Sequence, residues 1–253
     1  MNIHENSKLR LSNLKHIPAH NHPSIYELER EFGKYCFVPL DIPVIHDDKI
    51  IEWFNDNRKA ITKVKPDVAD KNYGYSLFNS VNVCLDRNYY VNNPIWTDNQ
   101  YLTFKEDFPH FYQQLMDLLP LAKIPRLSFW NSTNKIAPHR DHSYLLDMPN
   151  SFRVMIQDEN PGSTLYLFEE ADGFKGHKHY VPRLESTNTF AWNNLRVEHG
   201  SDYDSRYSKI LLIINDFIPD YRKYKEIMNR SVNRYAEHLL ISQRSLNDFV
   251  LPQ

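Results

Sequence analysis

A mainly β fold with flanking helices is the architecture this sequence predicts. Three observations carry that expectation. Between about residues 125 and 218 the chain breaks into short runs of β-formers separated by Asn, Asp, Gly and Pro. Helical periodicity precedes that block and returns after Pro219. The 253 residues are 41% hydrophobic and 25% charged, the composition of a globular chain with a core. Several short strands at this spacing suggest a sandwich or a barrel. The expected layout is a mixed α/β extension over 1–124, a β core over 125–218 and a helical extension over 219–253, packed as one compact domain.

Each element has its own signal. Residues 1–25 are polar and read as a loose lead-in. "KYCFVPLDIPV" (34–44) is rich in β-formers, and its two prolines point to an edge strand. "DDKIIEWFNDNRKAI" (47–61) reads as a helix that Asp47 or Asp48 can cap, with Ile50, Ile51, Phe54 and Ile61 at helical spacing. "EDFPHFYQQLMDLLPLAKIP" (106–125) predicts a second helix. Asp107 can cap it, Pro109 sits in the first turn, and Phe108, Phe111, Tyr112, Leu115, Leu118 and Leu119 share a face until Pro120 ends it. The strand-like runs follow: "RLSFWNS", "KIAPH", "FRVMIQ", "STLYLF", "TFAWNN", "LRVEHG" and "YSKILLIINDF". A last helix is predicted by Tyr221, Tyr224, Ile227, Met228 and Val232.

Bulk properties exclude several classes of function. A net charge of -2 gives no basic field for nucleic acid or an anionic membrane. Two cysteines, Cys36 and Cys84, make neither a disulfide framework nor a Cys-based zinc site. The first twenty residues lack the apolar core of a signal peptide, and no run of about 18 apolar residues occurs. The expectation is a cytoplasmic protein acting on a small molecule or a peptide, with its oligomeric state left open.

The chemistry concentrates in "KIAPHRDHSY" (135–144). His139 and Asp141 are one residue apart, so in an extended segment both point to the same side. Arg140 and His142 then point away. An imidazole and a carboxylate on one side suit a divalent transition metal. His199, ending the run "LRVEHG", qualifies as a third ligand from another strand. Two His and one carboxylate that leave coordination positions open are the triad of non-haem Fe(II) oxygenases. A basic residue then opens the apolar run "ILLIIND", where a dicarboxylate would need a cationic partner.

Together "PHRDH", "SFRVMIQ", "TLYLF", "TFAWNN", "EHG" and "KILLIIND" resemble the Fe(II)/2-oxoglutarate-dependent oxygenases, over roughly residues 125–218. The chain looks most like the aspartyl/asparaginyl β-hydroxylase-like branch, which includes bacterial proline hydroxylases. The resemblance implies a double-stranded β-helix, the cupin-like jelly-roll of two sheets. It implies iron on His139, Asp141 and His199, and a carboxylate contact from Arg153. It also implies a 2-oxoglutarate anchor about ten residues after the distal His. Lys209 has that spacing; Arg206, paired with Ser208, is the alternative, and in a regular strand Arg206 and Lys209 face opposite sides.

The implied reaction uses Fe(II), 2-oxoglutarate and O₂. It releases succinate and CO₂ and hydroxylates an unactivated C–H bond, here of an amino acid, free or in a peptide. Asp141 argues against the halogenating variant, which has a small residue at that place. A non-catalytic jelly-roll that binds metal or ligand, and an oxygenase that demethylates, desaturates or epimerises, stay open beside it. His177 and His179, in "GFKGHKHYVP", form a second His-x-His pair, read as an exposed hairpin or lid. Trp130, Trp192, Tyr144 and Tyr166 read as core or pocket walls. Asn194 reads as a turn residue, with hydrogen bonding to a metal ligand's surroundings as its other reading.

Overall fold

Ile25, Leu28 and Phe32 recur at helical spacing, and all three are buried on one side of helix α1 (Pro23–Phe32). Of the lead-in expected over 1–25, residues 1–22 lie outside the described residues and 23–25 begin this helix, where Pro23 at the first position signals a start. The computed structural model describes residues 23–61, 80–84, 102–118, 126–131, 136–139, 146–159, 164–169, 177–194, 196–202, 209–215 and 220–242.

Strand β1 (Tyr35–Pro39) is buried along its whole length and is not an edge. It pairs with β9 (Thr189–Trp192) on one side and β12 (Leu240–Ile241) on the other. Its proline costs no ladder bond. Leu40 N–H donates to the Thr189 carbonyl on β9, so Pro39 turns its missing N–H to the opposite side, beyond the end of β12.

Helix α2 (Asp48–Ile61) follows, with Asp47 Oδ1 accepting the Lys49 N–H. Strands β2 (Ser80–Cys84) and β3 (Leu102–Thr103) come next. The long helix expected over 106–120 is broken. Its residues form α3 (Phe104–Asp107), α4 (Pro109–Gln114) and a 3₁₀ turn (Leu115–Asp117). Phe108, with φ −136°, separates α3 from α4, and no side chain caps α4. The residue before a proline is pushed out of the α region, and that is what splits the segment at Phe108.

The remaining strands are β4 (Arg126–Asn131), β5 (Ile136–His139), β6 (Ser151–Asp158), β7 (Leu165–Glu169), β8 (Lys178–Tyr180), β10 (Val197–Ser201) and β11 (Lys209–Asn215). Two sheets result, an eight-stranded one in the order β12–β1–β9–β6–β11–β4–β2–β3 and a four-stranded one in the order β5–β10–β7–β8. Every described pairing is antiparallel except β2 with β3.

Strand pleat sorts the core into two layers. On β11, Ile210, Leu212 and Ile214 join the cluster that holds the helices, with Phe152 and Val154 of β6. Leu211 and Ile213 point the other way, to Leu165, Leu167 and Val197 of the smaller sheet. The large sheet therefore carries helices on one face and the small sheet on the other. Each aliphatic side chain removed from water contributes about 1.5–3 kcal/mol. Helix α5 (Tyr221–Arg234) closes the helical layer. Asp220 caps it by accepting the Lys223 N–H, and it buries Tyr224, Ile227 and Met228. Tyr224 meets Phe32 of α1 edge-on at 5.6 Å.

A buried polar knot ties this frame to the segment behind the candidate site. The Asp147 carboxylate accepts from Arg196 Nε and, at 2.6 Å, from Nη2, and at 2.9 Å from Asn193 Nδ2. Gly33 lies against it. A Cβ there would meet the Glu29 carbonyl oxygen and, at 2.7 Å, the Asp147 carbonyl oxygen, so only glycine fits.

Candidate functional site

The site lies between the two sheets. Strands β5 and β10 pair in a register that sets His139 directly opposite His199. Their ring centroids are 4.4 Å apart, at 50°. His199 is buried and His139 half-buried. Pleat alternation explains why His199 points inward, since Val197, two residues earlier, belongs to the core between the sheets.

Both histidines line a pocket with an empty volume of about 230 Å³, mouth included. Leu165, Leu211 and Ile213 form its apolar wall, and Trp192, Arg153 and Gly200 complete it. Trp192 is fully buried, with its ring 4.6 Å from that of His199 at 37°. Its Nε1–H donates to Asn194 Oδ1 at 2.6 Å. Asn194 is thus both a turn residue and the hydrogen-bond partner of a ring that packs on His199.

Arg153 is 2% exposed, and its guanidinium carbon sits 4.4 Å from the Trp192 ring centroid. Its Nη1 donates to Ser151 Oγ at 2.7 Å and to the Phe152 carbonyl at 2.9 Å. Lys209 shares the inward face of β11 with Leu211 and Ile213, and it is 4% exposed. Its Nζ donates to Ser201 Oγ, and to Thr164 Oγ1 at 3.2 Å. Burial pulls its pKa from 10.5 to about 8, against the partly offsetting charges of Asp158 and Asp202. A buried ammonium beside two hydroxyls can hold a carboxylate.

The structure brings three residues singled out in the sequence to one pocket, His139, His199 and Arg153, while Lys209 lies outside its lining, beside Ser201, two residues beyond His199 on β10. Asp141, Arg206 and Ser208, with Arg140 and His142, lie outside the described residues. Among the described residues no group of three or more His, Cys, Asp or Glu side chains is arranged to hold a metal. Ser201 and Thr164 were missed. Ser201 was legible, because it follows His199 by two and so shares its face; Thr164 needs the fold, since only the pairing of β7 with β10 brings it near. His177 is exposed and His179 half-buried on β8. His179 stands in the same cross-strand row as His199, but Leu167 of β7 lies between them.

No helix among the described residues is long and apolar enough to cross a membrane. No family model matches the chain, and no curated protein matches it. Among solved structures, a prolyl-4-hydroxylase from Pseudomonas putida is similar at 12% identity and a TM-score of 0.36, covering 76% of this chain and 98% of that one. A selenomethionine-labelled Fe(II)/α-ketoglutarate-dependent dioxygenase, TqaL, is similar at 10% identity and a TM-score of 0.35, covering 78% of this chain and 91% of that one. Likenesses at these scores carry no weight for function, and the chemistry of the site has to be read from the chain's own side chains.

Proposed function

We propose that this chain is an Fe(II)- and 2-oxoglutarate-dependent oxygenase that hydroxylates an unactivated C–H bond of an amino acid, free or in a peptide. The observation that carries the reading is the cross-strand pair His139 and His199, opening on a buried pocket that also holds Arg153. The strand order supports a double-stranded β-helix core, with β4–β11–β6–β9 facing β5–β10–β7–β8. On this reading the catalytic core spans about 125–218, the flanks add strands to the larger sheet, and the enzyme works in the cytoplasm.

The two described histidines suit the metal. Two imidazoles 4.4 Å apart are close enough for one ion to reach both. Asp141, two residues beyond His139 in the sequence, would supply the carboxylate. The bound iron would supply activation of O₂ coupled to decarboxylation of 2-oxoglutarate to succinate and CO₂. Lys209, with the hydroxyls of Ser201 and Thr164, binds the far carboxylate of 2-oxoglutarate. Arg153, held by Ser151 and by the Trp192 ring, receives a second carboxylate, of co-substrate or substrate. Leu165, Leu211 and Ile213 keep water from the reacting atoms.

The test uses protein purified without oxygen and given Fe(II), ascorbate and 2-oxoglutarate. Succinate is measured with and without a panel of amino acids and short peptides, and visible absorbance is recorded as 2-oxoglutarate meets the Fe(II) protein. Succinate that rises with one member of the panel, and a charge-transfer band lost in His139→Ala, are expected. Neither signal under any condition would sink the proposal. A band without turnover would favour a binding protein.

A further inference from the structure

His199 is held by rings. Trp192 lies 4.6 Å from it and His139 lies 4.4 Å from it, centroid to centroid. An imidazole has two soft torsions, and packing against two rings removes most of that freedom. The indole can do this only if its own orientation is fixed. Trp192 is fully buried, and its N–H needs an acceptor there, because a buried donor left unpaired costs about 1–3 kcal/mol. Asn194 Oδ1 is that acceptor, at 2.6 Å.

Asn194 is in turn fixed by its place in the connection from β9 to β10. Next to it, Asn193 N–H donates to the Cys36 carbonyl, and the Asn193 carbonyl accepts the N–H groups of Arg196 and Val197. Asn193 and Arg196 both bond the Asp147 carboxylate. The acceptor is therefore anchored through the turn to both sheets and to the segment that follows Asp141.

We propose that Asn194 is a positioning residue for the metal. By holding the Trp192 indole it sets the ring of His199, so that an imidazole nitrogen is already aimed when the ion arrives. This inference rests on the iron-site reading above. It separates Asn194 from an ordinary turn residue, whose loss lowers stability and leaves the affinity of folded protein for metal unchanged.

The experiment is a Co(II) titration of the full chain, followed by visible absorption. It compares the wild type with Asn194→Ala, Asn194→Asp, Trp192→Phe and the double variant Asn194→Ala/Trp192→Phe, with thermal unfolding recorded for each. Asn194→Ala weakens Co(II) binding about tenfold or more. Asn194→Asp keeps an acceptor oxygen and binds at wild-type strength or tighter. Trp192→Phe, which keeps a ring but has no N–H, loses a similar factor. The double variant binds no more weakly than Trp192→Phe alone, because Asn194 acts only through the indole. Wild-type affinity in a folded Asn194→Ala overturns the proposal, as do losses that multiply in the double variant. If Asn194→Ala fails to fold, Trp192→Phe decides, and unchanged affinity there overturns the proposal. A wild type that binds Co(II) no better than His199→Ala overturns the iron-site reading, and this inference with it.

Discussion

Lys209 carries an ammonium into the space between the sheets, and its desolvation can be read as a dependence of stability on pH. Burial lowers its pKa from 10.5 to about 8, with Asp158 and Asp202 offsetting part of the effect. Below about pH 8 the folded and unfolded chains both hold the proton, and the folded state bears the whole cost. Between about 8 and 10.5 the unfolded chain holds more protons than the folded one, so stability rises with pH. Above 10.5 the cost is gone. At 1.36 kcal/mol per pH unit the cost is roughly 3 kcal/mol. Lys209→Met removes the charge and also loses the bonds to Ser201 and Thr164, about 1 kcal/mol each and independent of pH. The quantity to measure is thus the stability of Lys209→Met minus that of wild type, from urea unfolding at pH 7, 8, 9 and 10. It should fall by roughly 2–3 kcal/mol across that range. A difference that stays flat to within about 0.5 kcal/mol would show that the Lys209 ammonium bears no such cost. Added 2-oxoglutarate should raise the wild-type melting temperature at pH 7, lose that effect as the pH passes 8, and do nothing for Lys209→Met.

Other outcomes follow from single features. Asp147→Asn leaves the Arg196 guanidinium buried without its carboxylate and should cost about 3–5 kcal/mol in urea unfolding, with Asp147→Leu/Arg196→Met less damaging than either single change. Gly33→Ala drives a methyl group into two backbone oxygens that cannot move cheaply; a loss of about 1–3 kcal/mol is expected, and an unchanged melting temperature would contradict the geometry. His139→Ala should remove succinate formation and Co(II) binding while leaving urea unfolding within about 1 kcal/mol of wild type, since His139 is only half-buried.

The strands of the core were legible because their signal is local. Seven runs of β-formers coincide with β4, β5, β6, β7, β9, β10 and β11, and His199 falls on an inward position two residues after Val197. What was not legible depends on partners distant in sequence. The prolines of 34–44 suggested an edge, but the side on which β12 ends decides that Pro39 is tolerated within the sheet. Pro109 allowed a helix start, but its effect on Phe108 split the expected helix. Trp192 and Asn194 are two residues apart, yet the packing of the Trp192 ring on His199 needed the approach of β9 to β10 in the folded chain. Arg153 and Lys209 both proved to point inward, which alternation within one strand could not establish for either without knowing which face was the core.

The place of β1 in the large sheet sets a problem for synthesis. Its apolar run, Tyr35 to Pro39, pairs with β9 at residues 190–192 and with β12 at residues 240–241. At about 5–20 residues per second, a ribosome takes on the order of ten seconds or more to make β9 after β1 has emerged. Until then "YCFVP" has neither of its partners, and its lone cysteine, Cys36, is a thiol that only the finished sheet will cover. Through that interval an apolar strand stands unpaired, and a slowed ribosome lengthens its exposure.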